Sequence, residues 1–289
     1  METYCNDCPR RCGVVRAAFW DEKKMPGFCH SPLQPVVARA ALHQWEEPCI
    51  SGSHGSGAVF FTGCNLRCCF CQNATISMGG TGVPITAARL RDIYGELIEK
   101  GAHNINLVTP TPYKKAILES LAEPLPVPVV YNCGGYETTA TIDAFKGKVQ
   151  IYLPDLKYLD PALAKRYSAA EDYPQVAAEA ILHMYDQVGP YELDADGLLK
   201  KGVVIRHLIL PGCLDNTKAV IDWVLDHFDD GQVLFSLMRQ YVPCGRAGEY
   251  PEIDRPLSDE EYDEAEQYLF DSGIEDGFVQ EKGSASDAF

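Results

Sequence analysis

Three cysteines, Cys64, Cys68 and Cys71, form a Cys-x3-Cys-x2-Cys triplet directly after an apolar segment. Cysteine thiolates in short runs of this kind hold iron–sulfur clusters, so three of them can bind three irons of a [4Fe–4S] cluster. The fourth iron then lacks a protein ligand and keeps an open position for a substrate, as a catalytic zinc ion does. A zinc knuckle or a chance spacing is the alternative, but the position after a strand favours a catalytic cluster. The adjacent Cys69 is expected to pack in the core.

The N-terminal segment carries a second set of cysteines, which are Cys5, Cys8, Cys12 and Cys29. A Cys-x2-Cys pair is a good chelator, and four thiolates complete a tetrahedral zinc site or hold a second iron–sulfur cluster. The segment has few core residues, and a bound metal would supply folding energy. Free thiols are the alternative, and the sequence does not separate zinc from iron–sulfur. The scattered cysteines are expected to be small buried hydrophobes; they are Cys49, Cys133, Cys213 and Cys244.

The composition describes an ordinary globular protein, with 46% hydrophobic and 23% charged residues. No run of 18 apolar residues is present, and the N-terminus lacks the basic and apolar regions of a secretory signal. We therefore expect a cytoplasmic protein without membrane contact, whose twelve cysteines bind metal rather than form disulfides. The net charge of −16, concentrated in residues 245–289, argues against binding to nucleic acid.

Six apolar segments alternate with helical patterns and indicate the elements that position these cysteines. Continuous apolar runs are typical of parallel strands that are covered on both faces. Repeated β–α units with right-handed crossovers predict an α/β fold, and six units are too few for a complete eight-fold barrel. The sequence therefore predicts a partial (β/α)6 barrel. The predicted strands are residues 58–63, 104–110, 128–132, 149–153, 202–210 and 233–238.

Helix signals occupy the intervals between these strands. Thr86 and Thr138 are predicted N-caps, and Ser258 with Glu261 forms a capping box that begins the last helix. A further helix is predicted over residues 217–228. The stretch at about 160–201 is too long for one crossover, so it is predicted to be a helical insert. The predicted domains are a cysteine-rich N-terminal lobe, 1–50, and a core domain, 51–289, with this insert and an acidic C-terminal extension.

The triplet and its flanks resemble a known family. The triplet after a strand is similar to the radical S-adenosylmethionine superfamily. The flanking Gly-Ser-Gly (55–57) and Gln-Asn (72–73) are similar to the pyruvate formate-lyase activating enzymes. Four more segments resemble an uncharacterised subgroup related to these activases, and the similarity covers almost the whole chain. These segments are Cys-Pro-Arg-Arg-Cys-Gly (8–13), Trp-Glu-Glu-Pro-Cys-Ile-Ser-Gly (45–52), Asn-Ile-Asn-Leu-Val-Thr-Pro-Thr (104–111) and Arg-His-Leu-Ile-Leu-Pro-Gly (206–212).

The resemblance implies a partial barrel of the radical S-adenosylmethionine type and an oxidoreductase like the [formate-C-acetyltransferase]-activating enzyme. It implies that the open iron binds the amino and carboxylate groups of S-adenosylmethionine. One electron, supplied by reduced flavodoxin or ferredoxin under anaerobic conditions, then yields a 5′-deoxyadenosyl radical that abstracts a hydrogen atom. The cofactor carries this chemistry, and the protein positions the reactants.

The resemblance also implies which residues hold the cofactor. Arg206 lies in the strand whose counterpart in the activases binds the cofactor carboxylate, and a guanidinium suits a bidentate contact of this kind. Asp155 and Lys157 stand in an Asp-Leu-Lys motif near the expected ribose. Asn132 and Thr109 end two other strands and are weaker candidates. Structural ion pairs are the alternative for the charged residues, and no individual catalytic residue is identified.

Two departures from the activases leave the substrate open. The place of their Gly-Gly-Glu segment reads Val-Thr-Pro-Thr (108–111), and the last strand lacks their histidine and reads Met-Arg-Gln-Tyr (238–241). The chain is therefore expected to activate a glycyl-radical enzyme or to modify another peptide or a small molecule. A non-catalytic electron-transfer protein is the alternative of a different class, but such carriers normally hold each cluster with four cysteines.

Overall fold

The computed structural model describes residues 4–19, 26–78 and 80–280. Its strands are β1 Val36–His43, β2 Ser56–Phe61, β3 Val83–Pro84, β4 Ile105–Val108, β5 Val129–Cys133, β6 Ile151–Pro154, β7 Glu192–Leu193, β8 Leu199–Leu208, β9 Leu234–Met238 and β10 Gly277–Val279. Its α-helices are α1 Pro48–Ser51, α2 Ala74–Ser77, α3 Ala87–Glu99, α4 Lys114–Ser120, α5 Thr139–Ala144, α6 Pro161–Ser168, α7 Tyr173–Val188, α8 Leu214–His227 and α9 Asp259–Ser272.

The strands form a curved sheet in the order β10-β9-β8-β6-β5-β4-β2-β1-β3. Along this order all pairs from β2 to β10 are parallel, and each strand lies beside the next core strand in the chain. Outside this order, the short β7 pairs antiparallel with β8. This winding in one direction is that of a barrel, because a doubly wound sheet would reverse its strand order at a switch point. Within the described residues the edge strands β3 and β10 do not pair. The prediction of an α/β partial barrel is confirmed.

Four strands of the sheet were not predicted, and of these β3 and β7 have only two residues each. Strand β1 pairs antiparallel with β2 from Val37 opposite Phe61 to His43 opposite Ser56, although the sequence assigned residues 36–43 to a separate lobe. Its alternation is weak, so its strand character depends on this pairing. Strand β10 adds a short parallel edge beside β9. The last nine residues of the predicted acidic extension lie outside the described residues.

The helix signals in the sequence are confirmed at several caps. Thr86 accepts a hydrogen bond from the Arg89 amide at the start of α3, and Ser258 forms the capping box of α9 with Glu261. The predicted insert contains α6 and α7, and the Asp160 carboxylate caps α6. Helix α8 begins three residues before the predicted start. None of the described helices is long and apolar enough to cross a membrane.

The sheet separates two apolar cores. The larger core lies between the sheet and the helices that cover its outer face. The smaller core fills the concave face, where Cys49 and Ile50 of the short helix α1 pack against the sheet. Pro48 at the first position of α1 fits the start of a helix because its missing N–H needs no partner there. The strand residues of this inner core are Val130, Ile151, Leu153, Leu199, Val204 and Leu234.

Candidate metal and cofactor site

The triplet lies in the loop after β2, at the carboxyl end of the parallel strands, which is where active sites gather in such folds. Each of the three sulfur atoms has at least one hydrogen-bond partner. The Ser168 hydroxyl donates to Cys68 Sγ at 3.0 Å, and the Leu66 amide donates to Cys64 Sγ at 3.3 Å. Ser77 Oγ lies 3.3 Å from Cys71 Sγ. Hydrogen bonds to a sulfur stabilise its thiolate form and tune a bound cluster.

The triplet thiols are close enough to affect one another electrostatically. Burial raises the pKa of Cys64, and the neighbouring Cys68 and Cys71 raise it further. Burial also raises the pKa of Cys68, while the Lys157 ammonium opposes that shift. Thiols with raised pKa values stay protonated at neutral pH. A metal that binds them as thiolates must therefore displace their protons.

The donor set fits an iron–sulfur cluster better than a single ion. Within the described ranges no three cysteine, histidine or carboxylate side chains converge closely enough to bind one metal ion. A single ion needs all its ligands around one atom, whereas a [4Fe–4S] cluster places each thiolate on a different iron and accepts a wider spacing. Three hydrogen-bonded thiols on one loop meet that requirement.

A second loop supports the triplet from the outside. The Arg246 amide donates to the Cys69 carbonyl at 2.6 Å, and the Cys244 thiol donates to the Phe70 carbonyl at 3.0 Å. Gly245 permits this approach, because a Cβ there would lie 2.8 Å from the Cys69 carbonyl oxygen and the residue has φ +59°. Cys69 is buried as predicted. The prediction of burial holds for Cys49, Cys133 and Cys213 but is wrong for Cys244, which is half-buried in this loop contact.

A layer of polar side chains crosses the concave face of the sheet, just above the inner apolar core. Along the sheet, each member pairs either directly with the next member or with the residue two positions before it. Residues two positions apart in a strand point to the same side, so all members lie on one face of the sheet. The layer joins four strands and the residue after β6. This polar layer consists of Asn106, Asn132, Asp155, Arg206 and Ser236.

Arg206 is at the centre of the polar layer and is already bound by protein groups. Its Nε donates to Asp155 Oδ1 at 2.9 Å, and its Nη2 donates to Asn132 Oδ1 at 2.8 Å. Its Nη1 lies 3.5 Å from Glu46 Oε1. The structure thus brings the predicted cofactor residues Arg206, Asp155 and Asn132 together, and their binding of the cofactor stays a prediction. The alternative ion pair is present as well, so a cofactor carboxylate would share this guanidinium with Asp155.

Asp155 and Lys157 connect the polar layer with the triplet. Lys157 Nζ donates to Asp155 Oδ2 at 2.6 Å and is within electrostatic range of Cys64 and Cys68. Burial alone would raise the pKa of Asp155, but the Arg206 and Lys157 charges outweigh burial and lower it. The carboxylate is therefore ionised and holds both cations at the mouth of the barrel.

The sequence did not identify Glu46 and Glu47 as site residues. Glu46 Oε2 accepts hydrogen bonds from Asn132 Nδ2 at 2.8 Å and from Asn106 Nδ2 at 2.9 Å. Burial raises the pKa of Glu47, the Arg206 charge opposes this shift, and Glu46 adds to it. Two adjacent carboxylates before the apolar helix α1 were the available signal, because acidic residues are seldom buried without a function or a partner.

Thr109 stands at the end of β4 and has an unusual backbone. Its φ is +58°, which is costly for a β-branched residue and is typical of functional sites. Its amide donates to the Asn132 carbonyl at 2.8 Å, so the strained turn borders the polar layer. This places Thr109 beside the other predicted residues without a side-chain contact to them that the structure describes.

The N-terminal cysteines affect one another electrostatically in pairs, but among the described residues no three of them converge closely enough to hold one metal ion. Cys8 interacts electrostatically with Cys29 and Cys5, and burial, its largest cause, raises the pKa of Cys8 to about 12. Arg10 Nε donates to the Asn65 carbonyl at 2.9 Å, inside the triplet loop. The segment is thus docked on the mouth of the barrel. Its metal site remains a prediction.

Comparison with known proteins identifies a relative and two structural neighbours. No protein-family model matches the chain. The chain is 30% identical over 272 residues to the uncharacterized protein MJ0674 of Methanocaldococcus jannaschii. The aligned region covers 90% of this chain and 72% of the relative. An identity at this level over most of both chains indicates common descent.

Among solved structures, Streptococcus suis SuiB bound to S-adenosylmethionine matches with a TM-score of 0.56 at 15% identity, over 78% of this chain and 50% of SuiB. SuiB bound to the precursor peptide SuiA matches with a TM-score of 0.55 at 14% identity, over 76% of this chain and 47% of SuiB. The chain thus spans about half the length of SuiB, and the likeness concerns the fold. The chain therefore belongs to the same family as MJ0674, and it shares its fold with SuiB.

Proposed function

We propose that the protein is a radical S-adenosylmethionine enzyme whose cluster is held by Cys64, Cys68 and Cys71. The observation that carries this proposal is the triplet of hydrogen-bonded thiols at the carboxyl end of a partial barrel. The fold shared with SuiB, whose structure contains S-adenosylmethionine, supports the same reading. A non-catalytic cluster carrier does not need a polar layer of this kind inside a barrel.

When bound and reduced, the [4Fe–4S] cluster would supply the electron that cleaves S-adenosylmethionine to a 5′-deoxyadenosyl radical. The chain's own residues position the reactants and exclude water. Phe61, Leu66 and Phe70 are buried around the triplet loop and keep its surroundings apolar. Arg206 and Lys157 provide the cations at the mouth of the barrel for a carboxylate, and Asp155 fixes their positions.

The test is anaerobic reconstitution followed by measurement of 5′-deoxyadenosine formed with dithionite. We expect the wild type to bind four irons per triplet and to form the product. Replacing Cys64, Cys68 and Cys71 together by alanine is expected to abolish both. Cys69→Ala is the matched control, because Cys69 lies in the same loop but packs in the core. Product formation by the triple variant would contradict the proposal.

For the substrate, we propose hydrogen abstraction from a polypeptide. The resemblance of the triplet flanks to the glycyl-radical activases supports a glycine backbone, and SuiB bound to a precursor peptide supports peptides more broadly. A domain of a pyruvate-formate lyase-activating enzyme from Bacteroides vulgatus reaches a TM-score of only 0.38 and carries no weight for the activase alternative. A glycyl-radical signal in the electron paramagnetic resonance spectrum of a candidate partner enzyme would decide for activation.

The electron donor and a second metal are further parts of the proposal. A reduced flavodoxin or ferredoxin in the cytoplasm would supply the electron. The four N-terminal cysteines would hold zinc or a second cluster; their electrostatic coupling supports this, although in the described residues no three of them converge on one point. Metal analysis of the triplet-free variant is expected to find this metal, and Cys8→Ala is expected to lower it. A metal-free variant of unchanged stability would leave these cysteines as free thiols.

A further inference from the structure

One arginine of the N-terminal segment bridges two parts of the chain that contact the triplet. Arg10 Nε donates to the Asn65 carbonyl at 2.9 Å, inside the triplet loop. Its Nη2 donates to the Ser168 carbonyl at 3.2 Å, and its Nη1 donates to the Ala169 carbonyl. The three acceptors lie 55 to 159 residues away along the chain. All three nitrogen atoms of one guanidinium therefore join the triplet loop to the end of α6.

The last turn of α6 supports the triplet loop directly. The Ser168 hydroxyl donates to Cys68 Sγ at 3.0 Å, and the Tyr167 carbonyl accepts a hydrogen bond from the Cys69 amide at 2.8 Å. Ser168 is 0% exposed, and its hydroxyl lies 3.0 Å from the Tyr158 hydroxyl. A hydroxyl has a single proton to donate, so Tyr158 donates to Ser168 while Ser168 donates to Cys68. This turn thus holds both the backbone and one sulfur of the loop.

The end of α6 needs donors from elsewhere in the chain. The last carbonyl groups of a helix have no partner within the helix, and an arginine can donate to them. The positive charge of Arg10 also suits the negative end of the helix dipole. The helix ends at Ala169, whose φ of +51° is unfavourable for a residue other than glycine. Loss of Arg10 would leave the carbonyl of the buried Ser168 without this donor.

Two aromatic rings fix the plane of the Arg10 guanidinium. Its Cζ lies 3.8 Å from the centroid of the Phe28 ring and 5.0 Å from that of Tyr136. Phe28 is attached to the triplet loop in turn, because Arg67 Nη2 donates to the Phe28 carbonyl at 3.0 Å and Arg67 Cζ lies 4.2 Å from the Phe28 ring. A planar guanidinium can stack on a ring and donate several hydrogen bonds at once, which an ammonium cannot do.

We propose that Arg10 is a positioning residue for Cys68, which it affects by holding the end of α6 so that the Ser168 hydroxyl stays against the Cys68 sulfur. This inference rests on the proposed function, because it takes Cys68 as a ligand of the [4Fe–4S] cluster. A hydrogen bond to a ligand sulfur offsets negative charge and stabilises the reduced cluster, so it raises the reduction potential. Arg10 thereby helps to set this potential through Ser168.

The test is a redox titration of the reconstituted holoenzyme, followed by electron paramagnetic resonance. We expect Ser168→Ala to lower the equilibrium constant for cluster reduction about two- to ten-fold, the value of one neutral hydrogen bond. A ten-fold change is a shift of about 59 mV for one electron. Arg10→Gln and Arg10→Lys are expected to lower the potential in the same direction, because neither side chain reproduces the guanidinium. Arg11→Gln is the matched control, since it removes the same charge from the exposed neighbouring residue and should leave the potential unchanged.

The double variant distinguishes positioning through Ser168 from a general effect of the Arg10 charge. If Arg10 acts through Ser168, then Arg10→Gln causes no further shift in a Ser168→Ala background. Additive shifts, an unchanged potential in Arg10→Gln or an equal shift in Arg11→Gln would each overturn the inference. Arg10→Lys replaces Arg10→Gln in the same comparison if the latter does not fold.

Failure of the inference and failure of the proposed function give different results. Iron content and formation of 5′-deoxyadenosine are measured first in the wild type. A wild type without a cluster would contradict the proposed function and this inference together. A wild type that holds the cluster and forms the product, with the same potential as Arg10→Gln, would contradict the inference alone.

Discussion

The triplet loop and the polar layer lie next to each other at the same edge of the sheet, but different interactions hold them. In the triplet loop the thiols are held by neutral hydrogen bonds, and burial raises the pKa values of Cys64 and Cys68. In the polar layer Asp155 lies between Arg206 and Lys157, and its pKa is lowered despite burial. The thiols of the triplet loop become stable thiolates when they bind a metal, whereas the charged groups of the polar layer are already paired with one another.

The two regions are therefore organised differently, one by a single loop and the other by charged groups from several strands. The triplet thiols come from one short loop, so chain connectivity brings them near one another, and hydrogen bonds from Ser168 and Cys244 hold that loop from distant parts of the chain. Ionised groups inside a barrel must be compensated by partners from other strands, because an unpaired buried charge is very costly. Loss of metal should therefore disturb the loop, and loss of one charge should disturb the whole barrel.

Asp155→Asn is expected to give the largest effect on stability. It leaves the Lys157 charge without its carboxylate and removes the carboxylate nearest to Arg206, and breaking a buried pair in this way costs roughly 3–5 kcal/mol. Urea unfolding of the metal-free protein measures this loss. Asp143→Asn is the matched control, because Asp143 pairs with His183 but is 60% exposed, and it should cost well under 1 kcal/mol. Similar losses in both variants would show that the polar layer is not specially charge-compensated.

Arg206→Lys is expected to weaken S-adenosylmethionine binding about ten- to a hundred-fold at constant iron content. The lysine ammonium keeps the charge but cannot reproduce the planar, two-pronged geometry of the guanidinium. The variant therefore loses a hydrogen bond to a charged group, which is worth roughly 1.5–3 kcal/mol. The cluster's spectroscopic response to added S-adenosylmethionine measures the affinity. Arg166→Lys, in an exposed ion pair with Glu252, is the control. Equal affinities would make Arg206 a purely structural ion-pair residue.

The buried carboxyl group of Glu137 is expected to make the stability of the protein depend on pH. Burial is the main cause that raises the pKa of Glu137 to about 8, and hydrogen bonds from Thr111 and Tyr131 only partly offset it. The unfolded chain releases the carboxyl proton near pH 4.5, whereas the folded protein keeps it up to about pH 8. The free energy of unfolding therefore falls as the pH rises between these two pKa values, by at most about 1.4 kcal/mol per pH unit. Glu137→Gln should remove this slope.

The measurement for Glu137 is urea unfolding between pH 5 and about 8. The advantage of Glu137→Gln over the wild type should grow with pH across that window. The exposed Glu119→Gln variant controls for the loss of one carboxyl group and should follow the wild type. A constant difference between Glu137→Gln and wild type would show that Glu137 titrates as an ordinary carboxyl group.

The smallest expected effect concerns a feature outside both regions. Ser258→Ala removes the capping box of α9, which should cost about 1 kcal/mol. Thermal unfolding measures the loss, and Ser258→Asn should restore most of it because asparagine is also a good N-cap. A loss as large as that of Asp155→Asn would mean that a local cap controls the barrel as strongly as its buried charges do.

The local features of the chain were predictable from the sequence. The spacing of Cys64, Cys68 and Cys71 and the capping box of Ser258 with Glu261 depend on residues a few positions apart. The six core strands followed from apolar runs, and their parallel order followed from the alternation with helices. Strand β1 was not predicted, because its strand state comes from pairing with β2 rather than from its own residues.

The sequence by itself determined the triplet, the α/β class and the six consecutive units, since each of these depends on short-range spacing and periodicity. It placed Asp155 and Asn132 at strand ends and Arg206 within a strand, but left their partners open. Only the tertiary structure joined Arg206 to Asp155, 51 residues away, and Asn132 to Glu46, 86 residues away. The physical reason is that a buried charge is compensated by whichever strand or segment the register places beside it, and that choice is made across the sheet and not along the chain.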